Sequence, residues 1–401
     1  MIRKIFKAFH YRDFRILWIG ACTSSIGSWM QQLAQAWLVL EISKSPFMLG
    51  LDAFLGDIPI FLFSLVGGVI ADRIDRRYVL LGSQYVQMTC ALLLTLLIAT
   101  HTVQVWHILC LSFVVGTAQA FGGPAYSALV PSLVEKEDLS NAIAMNSIQF
   151  NLARVIGPVI GGIILKTMGA QWCFGLNALS FVAVIISLYR LRISFNPPRT
   201  GESVLTSMKQ GFQFIRKQGA MESLIVLAFL MTGFAIPMIT FLPVFAKNVF
   251  EKGPETLSLF LACTGLGSIS GALLVAALGN VKNKGRIALS MLMLLGAVMA
   301  GFAQSTNIII SCAFLYVSGA CLIFAFAMIS SLVQLITANE MRGRVMSVYN
   351  VAFRGGMPFG NLATGRLVPM FTAPVVIAAN GVLLFCLGLY FMVIKRRVAE
   401  L

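Results

Sequence analysis

Long apolar runs separated by short polar stretches make up almost the whole chain. Twelve of them approach the ~20 residues that a helix needs to cross a bilayer, at 14–40, 47–71, 78–99, 105–130, 140–166, 170–190, 222–246, 256–279, 286–305, 308–335, 345–370 and 374–394. Backbone polar groups left unpaired in hydrocarbon are too costly for open strands. The runs are also too long and too evenly apolar for barrel strands, so they predict helices. The expected fold class is all-α, embedded in lipid. The longest polar stretch, 192–220, separates six runs from six. The pattern predicts an N-terminal six-helix bundle (1–191), a linker, and a C-terminal six-helix bundle (221–401). Within the linker, Ser207 to Arg216 alternates apolar and basic positions, as an amphipathic helix on a membrane surface does. A connecting helix with no function of its own fits the same pattern.

Composition agrees with this picture. The 401 residues are 58% hydrophobic and 11% charged, under half of the ~25% charged share of soluble domains. The net charge of +15 would suggest a nucleic-acid partner in a soluble protein, but its placement decides otherwise. Basic residues gather in alternate connections: Arg3, Lys4, Lys7, Arg12 and Arg15 before the first run, Arg73, Arg76 and Arg77 after the second, and Arg190, Arg192, Arg199, Lys209, Arg216 and Lys217 around the linker. Lys282, Lys284 and Arg286, then Arg342 and Arg344, then Lys395, Arg396 and Arg397 continue the series. The other connections hold only Lys44, Lys166, Lys247 and Lys252. By the positive-inside rule both termini and the linker are cytoplasmic. No basic stretch interleaves with aromatics away from a membrane flank, so no nucleic-acid partner is expected. The first run is too long for a cleaved leader and is expected to stay as the first helix.

Catalytic and cofactor chemistry find little support. The eight cysteines fall inside runs without a CxxC pair or a nearby His, and read as small apolar packers rather than metal ligands. There is no Gly-x-x-x-x-Gly-Lys phosphate loop, no His-Glu-x-x-His and no Ser, His and Asp constellation at one face, so neither an enzyme nor a bound cofactor is expected.

An internal repeat ties the halves together. Arg154 and Pro158 in the fifth run return as Arg354 and Pro358 in the eleventh, each after an acidic connection. Related halves in a membrane suggest a transporter with its cavity between them. The most specific stretch is Gly67-Gly68-Val69-Ile70-Ala71-Asp72-Arg73-Ile74-Asp75-Arg76-Arg77. It resembles the signature loop of the major facilitator superfamily, and its Asp-Arg-x-Asp-Arg-Arg version is similar to the branch of enterobactin-type exporters and transmembrane secretion effectors. Asp75 stands where the signature usually has Gly. The resemblance implies the superfamily fold, with twelve transmembrane helices in two pseudo-symmetric bundles, working as a monomer. It also implies that Asp72 caps the cytoplasmic start of the eleventh helix near Arg342 or Arg344. With Gly68, Arg73, Arg76 and Arg77, this would form a gate that locks the outward-facing state. A plain membrane-flank charge cluster is the simpler alternative. The second-half counterpart, Gly279 to Arg286, keeps glycines and bases but lacks the acid.

In the fifth run Pro158 removes a backbone donor, while Gly157, Gly161 and Gly162 remove side chains, so the helix can bend and pack closely. The stretch resembles the Gly-Pro-x-x-Gly-Gly antiporter motif of exporter branches and so implies efflux; a packing kink without directional meaning also explains it. Gly265, Gly267 and Gly271 read as packing. In the first run Ser24, Ser28, Gln31 and Gln35 repeat at i+3 and i+4, a polar stripe that is costly against lipid. They either line a watery cavity or bond across helices. The first run as a whole is similar to the first helix of the exporter branch.

Asp57 lies ten residues into the second run, ~15 Å at helical rise, where a lone charge is expensive and marks a functional candidate. Arg354 is the preferred partner, since the resemblance implies that the second and eleventh helices meet, with Arg154 the alternative and Asp52 a relay nearer the outer mouth. If rocking separates acid and base, Asp57 can take a proton, coupling export to a proton gradient. A static ion pair that sets helix register, or a preference for cationic cargo, fits the same residue. Trp29, Phe150, Phe234 and Phe353, among other aromatics, are candidate cavity walls for an amphipathic cargo. The expected function is therefore an inner-membrane exporter of a small organic molecule, by alternating access with proton antiport. A lipid or lysolipid flippase, and a transport-dead sensor or assembly partner, are the alternatives.

Overall fold

The structure is a computed structural model that describes residues 6–192, 204–279 and 281–401. The side chains of Asp72, residues 204–209 and Lys217 lie outside the description, as does most of the expected linker. The regular structure among the described residues is helical throughout. The long helices are α1 (Arg12–Ser43), α2 (Pro46–Arg73), α3 (Arg76–Ala99), α4 (Val105–Leu129), α5 (Leu139–Thr167) and α6 (Ala170–Arg190), then the shorter α7 (Val204–Lys217). The second half holds α8 (Gly219–Thr240), α9 (Pro254–Leu278), α10 (Lys284–Gln304), α11 (Ile308–Ile336), α12 (Arg342–Phe371) and α13 (Ala373–Val393).

Each of the twelve expected runs lies on one of these helices, and α7 occupies the amphipathic stretch. Ten helices are long and apolar enough to span a membrane by length and composition. The two spans that complete the twelve, α1 and α12, are 32 and 30 residues long but carry more polar side chains: the Ser and Gln stripe in α1, and four arginines and two asparagines in α12. Several helices outrun the apolar pattern by a turn, because the backbone ladder continues where side chains already meet polar surroundings. The seventh run differs in kind. Its helix ends at Thr240, and Phe241 leaves helical geometry (φ −94, ψ 6) ahead of Pro243, which has no N–H to give. A short turn, Leu242–Val244, and a π-helical turn, Phe245–Val249, complete the crossing.

Two compact units emerge, Met1–Ile42 with Ile58–Gly201, and Ser43–Asp57 with Glu202–Leu401. The division cuts α2, whose first half belongs with the second unit, a feature the run pattern does not contain. In the first unit, α3 packs against α4 and α6. A cluster of Phe14, Leu17, Leu80, Leu81, Leu133, Phe181 and Leu188 forms the core toward the basic end. Residues 7–11 are pinned there: Lys7 pairs with Asp138 at 3.4 Å, the Tyr11 hydroxyl donates to the same carboxylate at 3.1 Å, and the Ala8 N–H donates to Asn141. In the second unit the pairs are α8 with α12, α9 with α11, and α10 with α13. Close approach between backbones requires the small residues the sequence supplies. A Cβ on Gly267 would meet the Tyr316 carbonyl, and one on Gly271 the Ala320 carbonyl. The surface helix α7 sits on α12, with Gly211 against the Arg344 carbonyl, while Arg216 stacks over the exposed Phe212 ring at 5.1 Å. All eight cysteines are free thiols.

Candidate functional site

Three charged residues of the apolar spans converge in the second unit. Asp57, half-buried near the middle of α2, lies within electrostatic reach of both Arg354 on α12 and Asp52 one and a half turns away. Helical spacing brings this about. Gly50, Phe54 and Asp57 fall at i, i+4 and i+7 on one face of α2, while Arg354, Pro358, Asn361 and Gly365 fall on one face of α12. The helices run antiparallel along these faces. A Cβ on Gly50 would stand 2.6 Å from the Asn361 carbonyl and 2.9 Å from Gly365. Phe54 and Phe359 meet edge to face at 6.3 Å. Phe241, at the break after α8, is fully buried with its ring tip at this same crossing, close to both Gly50 and Gly365. Asp52 is buried, and Arg354 and Arg366 are exposed. On the two facing stripes themselves, Asp57 and Arg354 lie toward one end, and Gly50, Gly365 and the Phe241 ring tip pack together at the other.

Asn361 belongs to this site and has no counterpart among the residues picked out from sequence. It is 1% exposed, and its Oδ1 has no hydrogen-bond partner among the described residues, a costly condition in an apolar setting. Its spacing of seven from Arg354 was the available signal. Tyr349 and Phe353 of α12 form a ring cluster with Phe326 of α11, with Phe326 and Phe353 centred 4.5 Å apart. The Phe353 carbonyl accepts from the Thr232 hydroxyl on α8 at 2.8 Å. Phe234 is half-buried on the same α8.

Arg154 sits apart, in the first unit. Its guanidinium lies 5.7 Å from the centre of the Trp29 ring, which meets the exposed Phe150 edge to face at 5.8 Å. A guanidinium over an aromatic face is held by the ring quadrupole rather than by an opposite charge. The glycines that follow Arg154 explain why α1 comes so near. A Cβ on Gly157 would be 2.5 Å from the Trp29 Cβ and 2.8 Å from the Ile26 carbonyl, and one on Gly161 would be 3.1 Å from the Met30 carbonyl. Pro158 and Gly162 are buried in the same helix. The antiporter-like stretch is therefore the contact face of α5 with α1.

The polar stripe of α1 bonds across helices. Gln31 accepts from the Asn177 amide of α6 at 2.6 Å, Gln35 donates to the Ser112 hydroxyl of α4 at 2.9 Å, and Ser24 is buried. Ser28 is half-buried. At the basic end, Arg76 donates to the carbonyls of Ala71 and Ala128, and Arg77 to those of Tyr189 and Leu191, so both close the carboxyl ends of neighbouring helices, where a cation suits the helix dipole. Asp75, the departure from the signature, is the N-cap of α3 and accepts from the Arg77 N–H at 2.9 Å. Gly68 has open space where a Cβ would stand, and Arg73 and Arg342 are exposed while Arg344 is half-buried. The expected partner of this gate, the Asp72 side chain, lies outside the described residues. No group of three or more His, Cys, Asp or Glu side chains able to hold a metal occurs among the described residues.

Comparison with known proteins places this architecture. Residues 5–401 match the family model described as transmembrane secretion effector. Macrolide efflux protein A of Streptococcus pyogenes is 21% identical over 385 residues, covering 94% of each chain. The enterobactin exporter EntS of Escherichia coli O1:K1 is 26% identical over 394 residues, covering 95% of this chain and 91% of the exporter. Among solved structures, the nucleoside transporter NupG superposes with a TM-score of 0.72 at 15% identity, over 95% of this chain and 98% of that one. A bacterial homologue of the human lysosomal transporter Spinster, inward-facing and occupied, gives 0.77 at 13% identity, over 96% and 97%. The chain is an integral membrane protein of the transmembrane secretion effector family, within the major facilitator superfamily.

Proposed function

We propose that this transporter exports a small amphipathic organic molecule by alternating access, exchanging it for protons, as a monomer in the inner membrane with both termini cytoplasmic. The observation that carries the reading is the placement of Asp57 within electrostatic reach of Arg354, where α2 and α12 approach each other. In an apolar surrounding a nearby cation favours the charged form of the carboxylate, and its withdrawal favours the neutral form. Parting of the outer half of α2 from α12 would leave Asp57 without Arg354 and let it take a proton from the outer side; closing would return the pair and release that proton inward. Cargo leaves during the open phase. In this reading the glycines and rings at the far end of the stripe form the outer closure, and Asp72 with Arg342 or Arg344 the inner one. The relatives' functions, macrolide efflux and enterobactin export, support efflux of a small organic molecule. Trp29, Phe150 and Phe353 are aromatic faces suited to such a cargo.

The test is reconstitution into liposomes with an imposed pH gradient and a mixed pool of amphipathic cations, siderophores and macrolides. Saturable movement of one class, lost when the gradient is collapsed, is the expected result. Movement that persists without any gradient would overturn proton exchange, and binding without movement would favour a sensor.

A further inference from the structure

The first unit has a groove that the transport reading does not use. It lies between α3 and α4, with a volume of about 520 Å³, within the roughly 300–1,000 Å³ range of small-molecule sites. Tyr78, Gly82 and Val86 mark one wall, and Phe113, Thr117 and Phe121 the other. The two aliphatic hydroxyls of these walls are taken up by helix carbonyls. The Ser83 hydroxyl donates to the Ala118 carbonyl at 2.7 Å and the Thr117 hydroxyl to the Phe113 carbonyl at 2.8 Å. What faces the groove is hydrocarbon and ring.

Its length and its foot identify the occupant. From Tyr78 to Val86 the groove climbs ~12 Å at helical rise, close to the ~15 Å of one leaflet's hydrocarbon. Tyr78, 63% exposed, stands at the end next to the signature loop. There Arg76 bridges from the start of α3 to the Ala128 carbonyl at the end of α4, and Arg73 is exposed. The stretch from Asp72 to Arg77 holds three arginines and two acids, and one of the acids, Asp75, is turned back to cap α3. Basic pockets between helices on the cytoplasmic side suit anionic headgroups. We infer that the α3–α4 groove holds one acyl chain of an inner-leaflet anionic phospholipid, whose phosphate lies by Arg73 and the Tyr78 hydroxyl. The lipid is a resident ligand and not the cargo. Its placement in the inner leaflet rests on the proposed topology, whereas its binding does not depend on transport.

Gly82 makes the inference testable, because a Cβ built on it meets no heavy atom within 4 Å. A larger side chain there fills the groove without displacing protein. The full chain, purified in detergent and delipidated, would be titrated with phosphatidylglycerol or phosphatidylcholine of the same chain length and examined by native mass spectrometry. The wild type is expected to hold one phosphatidylglycerol about ten-fold more tightly than phosphatidylcholine, equivalent to ~1.4 kcal/mol. Gly82→Leu should lose that adduct with an unchanged unfolding midpoint, and Arg73→Gln should keep one lipid but lose the preference. Val114→Trp, which blocks the groove from the other helix, serves as the second blocking variant should Gly82→Leu unfold. Equal binding of the two lipids by the wild type, or wild-type phosphatidylglycerol binding in a folded blocked variant, would overturn the assignment.

Discussion

Arg154 and Arg354 occupy matching places on α5 and α12, each four residues before a proline, yet the two halves hold them differently. Arg154 lies on the face of Trp29, a partner that cannot gain or lose a proton. Arg354 lies within electrostatic reach of Asp57, a group that can. The surrounding packing is alike. Gly157 and Gly161 bring α5 onto α1, and Gly356 and Gly360 bring α12 onto α8. A shared scaffold therefore carries one arginine over an aromatic ring and one near a titratable carboxylate. The capping of corresponding loops diverges too: α3 starts from the Asp75 side chain, whereas α10 starts from Asn283 in the left-handed region (φ 61) with no side-chain cap.

The strongest way to break this comparison is to neutralise each member. Asp57→Asn and Arg354→Gln are each expected to insert and bind cargo but to lose gradient-driven flux about 100-fold, ~2.7 kcal/mol of activation free energy. Arg154→Gln should lose only about three-fold by the same measure. Equal losses from Arg154→Gln and Arg354→Gln in liposome flux would remove the functional distinction between the halves. The shared scaffold is probed by Gly157→Leu. Pushing a side chain into Trp29 and the Ile26 carbonyl should cost roughly 1–3 kcal/mol, seen as a lower unfolding midpoint in detergent. Trp29→Leu removes the ring under Arg154 and should cost ~0.5–2 kcal/mol, with proton coupling intact in a flux-ratio measurement. A change in coupling ratio there would mean that Arg154 is not a fixed charge. Asp75→Ala should cost about 1 kcal/mol through loss of the cap, while Asp75→Asn, which can still accept from Arg77, should restore most of the thermal stability.

The helices were legible from hydropathy because lipid allows few alternatives, and Asp57 and Arg354 stood out as charges within apolar runs. What joins them was not legible from a single helix. The spacing in α1 places Gln31 and Gln35 on one side but cannot say that Asn177 and Ser112 are waiting there. Asn361 looks like any other asparagine until Gly50 and Gly365 are seen to bring two backbones together around it. Asp75 read as a departure from a signature and proves to be an ordinary N-cap, a role its position directly before Arg76 could have suggested. The break at Phe241 was hidden because Pro243 lies inside a run whose hydropathy never falters.

That break has a consequence for tightness. Phe241 is a single ring, without a polar atom, at the point where the end of α8 meets the Gly50 and Gly365 crossing. The proposed exchange of protons for cargo requires a protein impermeable to protons alone, and in that proposal this ring is the stopper. Phe241→Ala should therefore show its defect in liposomes that contain no cargo at all, as an idle leak that dissipates the pH gradient.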